Sequence, residues 1–294
     1  MRKVILKILR RPYEWVKKYP PLAHIVLSSM EGANMQCDRT YRKKPARASV
    51  NIPSADFFKD KVAVITIAFN KPELVESQIL CFQKNVSSDS YLIIADNSLD
   101  QKARQAILAL CQKNNVGYIS LPPNPRKQIN LSHSIALNWV YYNLIQKIKP
   151  YGFGFVDHDL FPLQSTNIKE ILEKHSLYGL YQERQKTNLK AWYLWAGFSF
   201  FRYSYLKEVG AHDKMNFSSV IVSTWQGFLE LDTGGGNWLP LYSKTPANAV
   251  KHAIQTVDGV ENIDGWVHLH AASQKSHDEI QENLRHIFNE KSIQ

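Results

Sequence analysis

Val62-Ala63-Val64-Ile65-Thr66-Ile67-Ala68-Phe69-Asn70-Lys71-Pro72 is the stretch on which the fold turns. Its β-branched apolar run, without polar alternation, marks a strand buried on both faces. Pro72 occupies a helix-starting position, and Leu74, Val75, Ile79 and Phe82 then recur at helical spacing. Further on, Tyr91-Leu92-Ile93-Ile94-Ala95 reads as a second buried strand ending in Asp96-Asn97-Ser98. Ile107, Leu108 and Cys111 carry another helix, and Val116-Gly117-Tyr118-Ile119-Ser120 a third strand. Pro122, Pro123 and Pro125 enforce a loop before a helix from about Ser132 to Lys147. Tyr151-Gly152-Phe153-Gly154-Phe155-Val156 then delivers Asp157-His158-Asp159. Four strands alternating with three helices predict a three-layer α/β fold with a mostly parallel sheet and right-handed crossovers. Ligands of such sheets lie at the carboxyl ends of the strands, where Asn70, Asp96 and Asp157 all fall.

The flanks are less regular. Trp192 to Phe201 is aromatic-rich and reads as a strand, Tyr203 to Val209 as a short helix, and Ser273 onward as a polar amphipathic helix through Ile280, Leu284, Ile287 and Phe288. Residues 31–60 mix Gly, Pro, Ser and charge without apolar periodicity, which predicts a linker that wraps or leads into the body. The expected organisation is a basic leader and linker over 1–60, a body over 61–272 and a C-terminal helix over 273–294.

Charge is concentrated at the start. The chain carries a formal net charge of +10. Residues 1–50 hold twelve Lys/Arg against three acids, and the remainder 24 against 23. A nearly neutral body is not the profile of a general nucleic-acid-binding domain, so no nucleic-acid partner is expected. Ile5, Ile8 and Leu9 lie opposite Lys3, Lys7, Arg10 and Arg11 on a short helix followed by Tyr13, Trp15 and Tyr19. Residues 1–20 could therefore attach peripherally to an anionic membrane surface, or pack on the body with their basic face in water. No apolar run approaches the roughly 20 residues of a membrane span. Cys37, Cys81 and Cys111 are widely spaced, which points away from a disulfide framework and toward a reducing, cytoplasmic setting.

The chemistry lies in carboxylates and histidines. Asp157 and Asp159 flank one residue at the end of a buried strand, so both can reach one hard cation such as Mn or Mg. His268 and His270 form a second pair two apart; either could complete the coordination, and His270 is the preferred candidate, with His252 and His133 ranked lower. Asp232 precedes three glycines that let backbone approach a ligand, and it could act as a general base; Glu230 could share or take that role. No Gly-x-Gly-x-x-Gly or Walker-type loop is present, and no nucleophile elbow.

These residues, in this order, resemble the family 2 glycosyltransferases. Val64 to Leu74 is similar to their opening strand and its Asn-basic-Pro end, and Ile93-Ile94-Ala95-Asp96-Asn97-Ser98-Leu99-Asp100 to their second strand. Asn130 to Asn138 resembles the segment before the metal strand, and Asp157-His158-Asp159 falls where the family has Asp-x-Asp. Leu206 to Asp213 resembles the stretch ahead of the catalytic acid, which matches Glu230-Leu231-Asp232 to the family's acidic region. The chain departs from the pattern at Phe69, at Leu231 within the acidic region, and at Asn130-Leu131-Ser132-His133 in place of a Gly-rich turn.

The resemblance spans roughly residues 61–240 and implies a GT-A fold, with a nucleotide-binding half over about 61–160 and an acceptor half over about 161–272. It implies that Ala68, Asn70, Glu73, Asp96 and Asp157 line the nucleotide, and that Asp157 and Asp159 hold Mn or Mg on the diphosphate. It further implies an inverting transfer from a nucleotide-sugar donor to a glycan or lipid-linked acceptor in cell-surface polysaccharide synthesis, with Asp232 or Glu230 as base. A nucleotidyltransferase-like metal enzyme, and a non-catalytic sugar- or membrane-binding protein of the same fold, stay open beside it.

Overall fold

The computed structural model describes residues 33, 35–184, 191–213, 215, 217, 220–223, 229–232, 248–250, 260–269, 272 and 275–290. For 181–184, 191–193, 220–223, 229–232, 248–250, 260, 277 and 287–290 it describes the backbone alone. The leader at 1–20, His252, His270 and Thr233 to Gly236 lie outside the described residues, as do the side chains of Glu230 and Asp232.

The alternation read from sequence is the heart of the structure. Strand β1 is Ala48–Val50, β2 Val62–Ala68, β3 Ser90–Asp96, β4 Gly117–Ser120 and β5 Gly152–Asp157. The later strands are β6 Leu160–Pro162, β7 Leu177–Arg184, β8 Ala191–Arg202, β9 Val220–Ser223, β10 Leu229–Asp232, β11 Asn248–Val250, β12 Val260–Ile263 and β13 Trp266–Leu269. Eight strands form one sheet in the order β1-β4-β3-β2-β5-β8-β7-β11. β4, β3, β2 and β5 run parallel, β8 pairs antiparallel with β5 and β7, and β1 caps β4 antiparallel. The sheet is therefore mostly parallel, as the pattern predicts.

Burial on both faces follows the two-residue period of a strand. Ala63, Ile65 and Ile67 of β2 join one apolar cluster, with Ile93 and Ala95 of β3 and Phe153 and Phe155 of β5. Val62, Val64 and Ala68 join the opposite cluster, with Leu92 and Ile94. Helices cover each side, which makes three layers. The first cluster is closed by α1 (Ala55–Phe58), α4 (Ile129–Val140) and α6 (Tyr203–Glu208). The second is closed by α2 (Pro72–Asn85), α3 (Gln101–Lys113) and α5 (Ile168–Lys174). The long helix expected to reach Lys147 changes character at Tyr141. A π-helical turn spans Tyr141–Ile145, a short α-helix follows over Gln146–Ile148, and Lys149 ends it in the left-handed region with φ 46°.

Residues 35–58 are more than the predicted linker. Residues 35–42 are helical, and β1 supplies an edge strand. Tyr41 is 1% exposed and donates its hydroxyl to the Pro122 carbonyl, while the Trp139 indole donates to Lys44 O. Tyr41 and Phe58 are buried anchors far apart in a mostly exposed stretch, so the burial leaves no period to read.

A smaller sheet, β12-β13-β6, stands beside the main one. Against it lies α7 (His277–Glu290), whose Ile280 and Leu284 join Leu74, Cys81, Phe161, Val267, Leu269 and Ala272 in a third cluster. Helix α2 thus has two apolar sides: Val75, Ile79 and Phe82 face the main sheet, and Leu74 and Cys81 the small one. Among the described residues, no helix is long and apolar enough to cross a membrane.

Candidate metal and nucleotide site

The chain order fixes where a ligand can sit. From β2 the chain moves outward through β3 and β4, then returns to place β5 on the other side of β2. A parallel sheet opens a crevice at such a switch point, beyond the strands' carboxyl ends. Asp157 ends β5 there, in register with Ile67 of β2.

Two long-range contacts hold the turn after β5. Gln78 is fully buried on α2; its amide donates to Asp157 O at 2.7 Å and to Leu160 O at 2.8 Å, and its oxygen accepts from Thr66 Oγ1 at 2.8 Å. From the other side, Leu269 N donates to Asp159 O at 2.8 Å, and β13 pairs with β6 so that His268 stands opposite Leu160. His268 is thereby carried from the far end of the sequence to the acidic turn.

One carboxylate oxygen each from Asp157 and Asp159 and one ring nitrogen of His268 lie within 4.8 Å of one another. His268 Nε2 is 3.5 Å from Asp159 Oδ1, and its Nδ1 is 3.0 Å from Glu261 Oε2. Burial opposes charge on the ring, but carboxylates beside both nitrogens outweigh it and hold the His268 pKa well above its ordinary range. Burial likewise works against the Asp159 carboxylate, and His268 outweighs it, so its pKa lies below the usual value. Asp157 is the more open acid; His133 Nε2, from α4, lies 3.5 Å from its Oδ1, and burial lowers the His133 pKa.

Two carboxylates and an imidazole make a donor set suited to Mn, and to Mg with water or phosphate oxygens completing the shell. The backbone at Gly197 comes close to this cluster. A Cβ on Gly197 would lie 2.6 Å from Asp157 Oδ2 and 2.5 Å from the Trp195 ring, so only glycine fits beside the open acid. Trp195 in turn sets its ring edge-on to His268, at 5.0 Å between centroids.

The predicted nucleotide residues occupy the same crevice with different duties. Asn70 takes φ 54°, donates its N–H to Ser98 Oγ, and accepts from Leu99 N and Asp100 N at 2.9 and 3.0 Å. Asp96 is 1% exposed; it accepts from Ser98 N and from the Tyr118 hydroxyl, each at 2.9 Å. Asn70 therefore ties the β2 and β3 loops together, while Asp96 ties the β3 loop to β4 and presents almost no surface. Ala68 is buried at the end of β2, and Glu73 is half-buried in the first turn of α2. Glu230 and Asp232 lie on β10, which pairs with β9 with Asp232 opposite Val220. Of the four histidines considered for the metal, His268 joins both acids, His133 stands beside Asp157, and His252 and His270 fall outside the described residues.

Gln78, Gly197 and Glu261 escaped the sequence reading. For Glu261 a signal existed: Ile263-Asp264-Gly265-Trp266 carries the Asp-Gly pair of a two-residue hairpin, with φ 49° and 80° at the central residues.

No family model matches the chain, and no curated protein sequence does. Similar solved structures include glycosyltransferases. The mannosyltransferase PcManGT from Pyrobaculum calidifontis, in complex with GDP-Man and Mn2+, is 13% identical at a TM-score of 0.38, over 63% of this chain and 58% of that one. TarS residues 1–349 from S. aureus, in complex with UDP, are 15% identical at a TM-score of 0.35, over 53% and 50%. The galactosyltransferase LgtC, with donor and acceptor sugar analogs, is 14% identical at 0.35, over 52% and 62%. The aligned portion is between half and two thirds of each of these proteins.

Proposed function

We propose that the protein is a metal-dependent glycosyltransferase that takes a nucleotide-sugar donor. The observation that carries the reading is the Asp157–Asp159–His268 cluster at the carboxyl end of the parallel sheet, beside its switch point. These three side chains would hold Mn or Mg, which when bound supplies positive charge to the departing nucleoside diphosphate. The loops joined by Asn70 and Ser98 form the floor of the nucleotide site, with Ala68 and Glu73 at its edge and Asp96 bracing it from below. In this reading the site is of the GT-A kind, as the sequence resemblance implies.

The displacement is proposed as inverting. Asp232 takes the proton of the acceptor hydroxyl, and Glu230 on the same strand is the alternative base. The acceptor is a glycan or lipid-linked glycan of cell-surface polysaccharide synthesis, met at the cytoplasmic membrane face through residues 1–20. Incubation with Mn and a panel of UDP-, GDP- and dTDP-sugars tests the reading: one donor is expected to be hydrolysed or transferred. Inertness toward every donor, with no metal-dependent nucleotide binding, overturns it. Asp232→Asn is expected to keep donor binding while losing transfer; retained transfer reassigns the base to Glu230.

A further inference from the structure

We infer that Glu261 is a positioning residue that sets the ring of His268 for metal coordination, an inference that rests on the metal reading above. Glu261 and His268 stand directly opposite on the antiparallel strands β12 and β13, so their side chains share one face of the hairpin. The Asp264-Gly265 turn fixes that register, because both residues hold the positive φ that a two-residue hairpin requires. The hairpin is also anchored from outside, since the Tyr178 hydroxyl on the main sheet donates to Asp264 Oδ2 at 2.6 Å.

The geometry decides what the ring can do. A neutral imidazole carries its proton on one nitrogen and offers a lone pair on the other. The Glu261 carboxylate, 3.0 Å from Nδ1, holds the proton there and leaves Nε2, the nitrogen facing Asp159, as the donor to a cation. In the opposite tautomer Nε2 carries the proton and cannot coordinate. Trp195, edge-on at 5.0 Å, limits rotation of the same ring. Glu261 meets the Nδ1 side of the ring and acts on the cluster through His268.

The test titrates Mn2+ into the purified full-length protein and reads free Mn2+ by electron paramagnetic resonance. Wild type, Asp159→Asn, Glu261→Gln and Glu261→Leu are compared. Gln keeps an acceptor without the charge, and Leu removes both. Affinity is expected to fall about 10-fold for Gln and toward about 100-fold for Leu. Nitrogen-15 spectra of wild type loaded with diamagnetic Mg2+ in place of Mn2+ are expected to show His268 protonated at Nδ1, and metal-free Glu261→Gln is expected to show a mixture of tautomers. Variant affinities within about twofold of wild type, or a lowered Tm with unchanged affinity, overturn the inference while leaving the metal reading intact. Wild type that binds no Mn2+ overturns both. The near-isosteric Gln variant carries the test if Glu261→Leu does not fold.

Discussion

The two walls of the site were built by different means. The wall formed by β2, β3 and β5 is a run of parallel strands whose residues face apolar neighbours on both sides. The opposite wall, β6 with the β12–β13 hairpin, is three short strands that join two apolar clusters, through Leu160, Ile263 and Trp266 in one and Phe161, Val267 and Leu269 in the other, beside a few polar contacts. The first supplies Asp157 as the end of a strand, so its position comes with the fold. The second supplies His268 across more than a hundred residues of sequence, so its position depends on the register of a hairpin and on Leu269 N bonding to Asp159 O. Strain in the first wall should fall on stability, and strain in the second on the site.

The largest effect is expected where the walls meet. Asp159→Asn removes one of the two charged partners of His268 and one of two carboxylates from the cluster, and it should lower Mn2+ affinity by more than about 100-fold with the fold retained. Calorimetric titration checks it, and unchanged binding would remove Asp159 from the metal site.

Two glycine substitutions within the main sheet then separate stability from the site. A Cβ at Gly154, in β5, would lie 2.0 Å from the Phe200 ring, which is stacked on Tyr178. Gly154→Ala should cost about 1–3 kcal/mol of stability, with near-normal Mn2+ affinity in the folded protein. Gly197→Ala presses on Asp157 and Trp195 instead, and should weaken Mn2+ binding about tenfold or more at a smaller cost in stability. Chemical denaturation beside metal titration reads both, and the same ratio of effects in the two variants would erase the distinction.

Gln78→Leu is the intermediate case, since Gln78 bonds to β2 and to the acidic turn together. It should cost about 1–3 kcal/mol for each buried group left without a partner, with a several-fold loss of Mn2+ affinity. The smallest effect is expected from Tyr178→Phe, which frees the hairpin tip from the main sheet by one hydrogen bond and should cost about 1 kcal/mol. A thermal melt with and without Mn2+ measures it; a large loss of metal affinity would mean that the tip contact alone holds the register.

The same contrast explains what could be read in advance. Val62–Ala68 and Ser90–Asp96 are seven-residue runs bounded by polar turns, and their burial is written in consecutive residues. β6 has three residues and β13 four, too few for a period to emerge. Residues 35–58 carry no such run for a related reason: their burial rests on scattered side chains such as Tyr41 and Phe58. Asp96 was legible as a residue at a strand end, but its role depends on Tyr118 and Ser98, which approach it only in the folded chain.

The sequence by itself determined the four parallel strands, the helices between them and the place of Asp157 and Asp159 at a carboxyl end. Those features follow from apolar periodicity and turn residues, which act between near neighbours. Only the tertiary structure decided that His268 joins both acids, that Gln78 pins the turn from inside, and that Asp96 serves the loop from beneath it. Each of these depends on strand register or on a buried polar group finding a partner far along the chain, and neither leaves a periodic trace in the residues themselves.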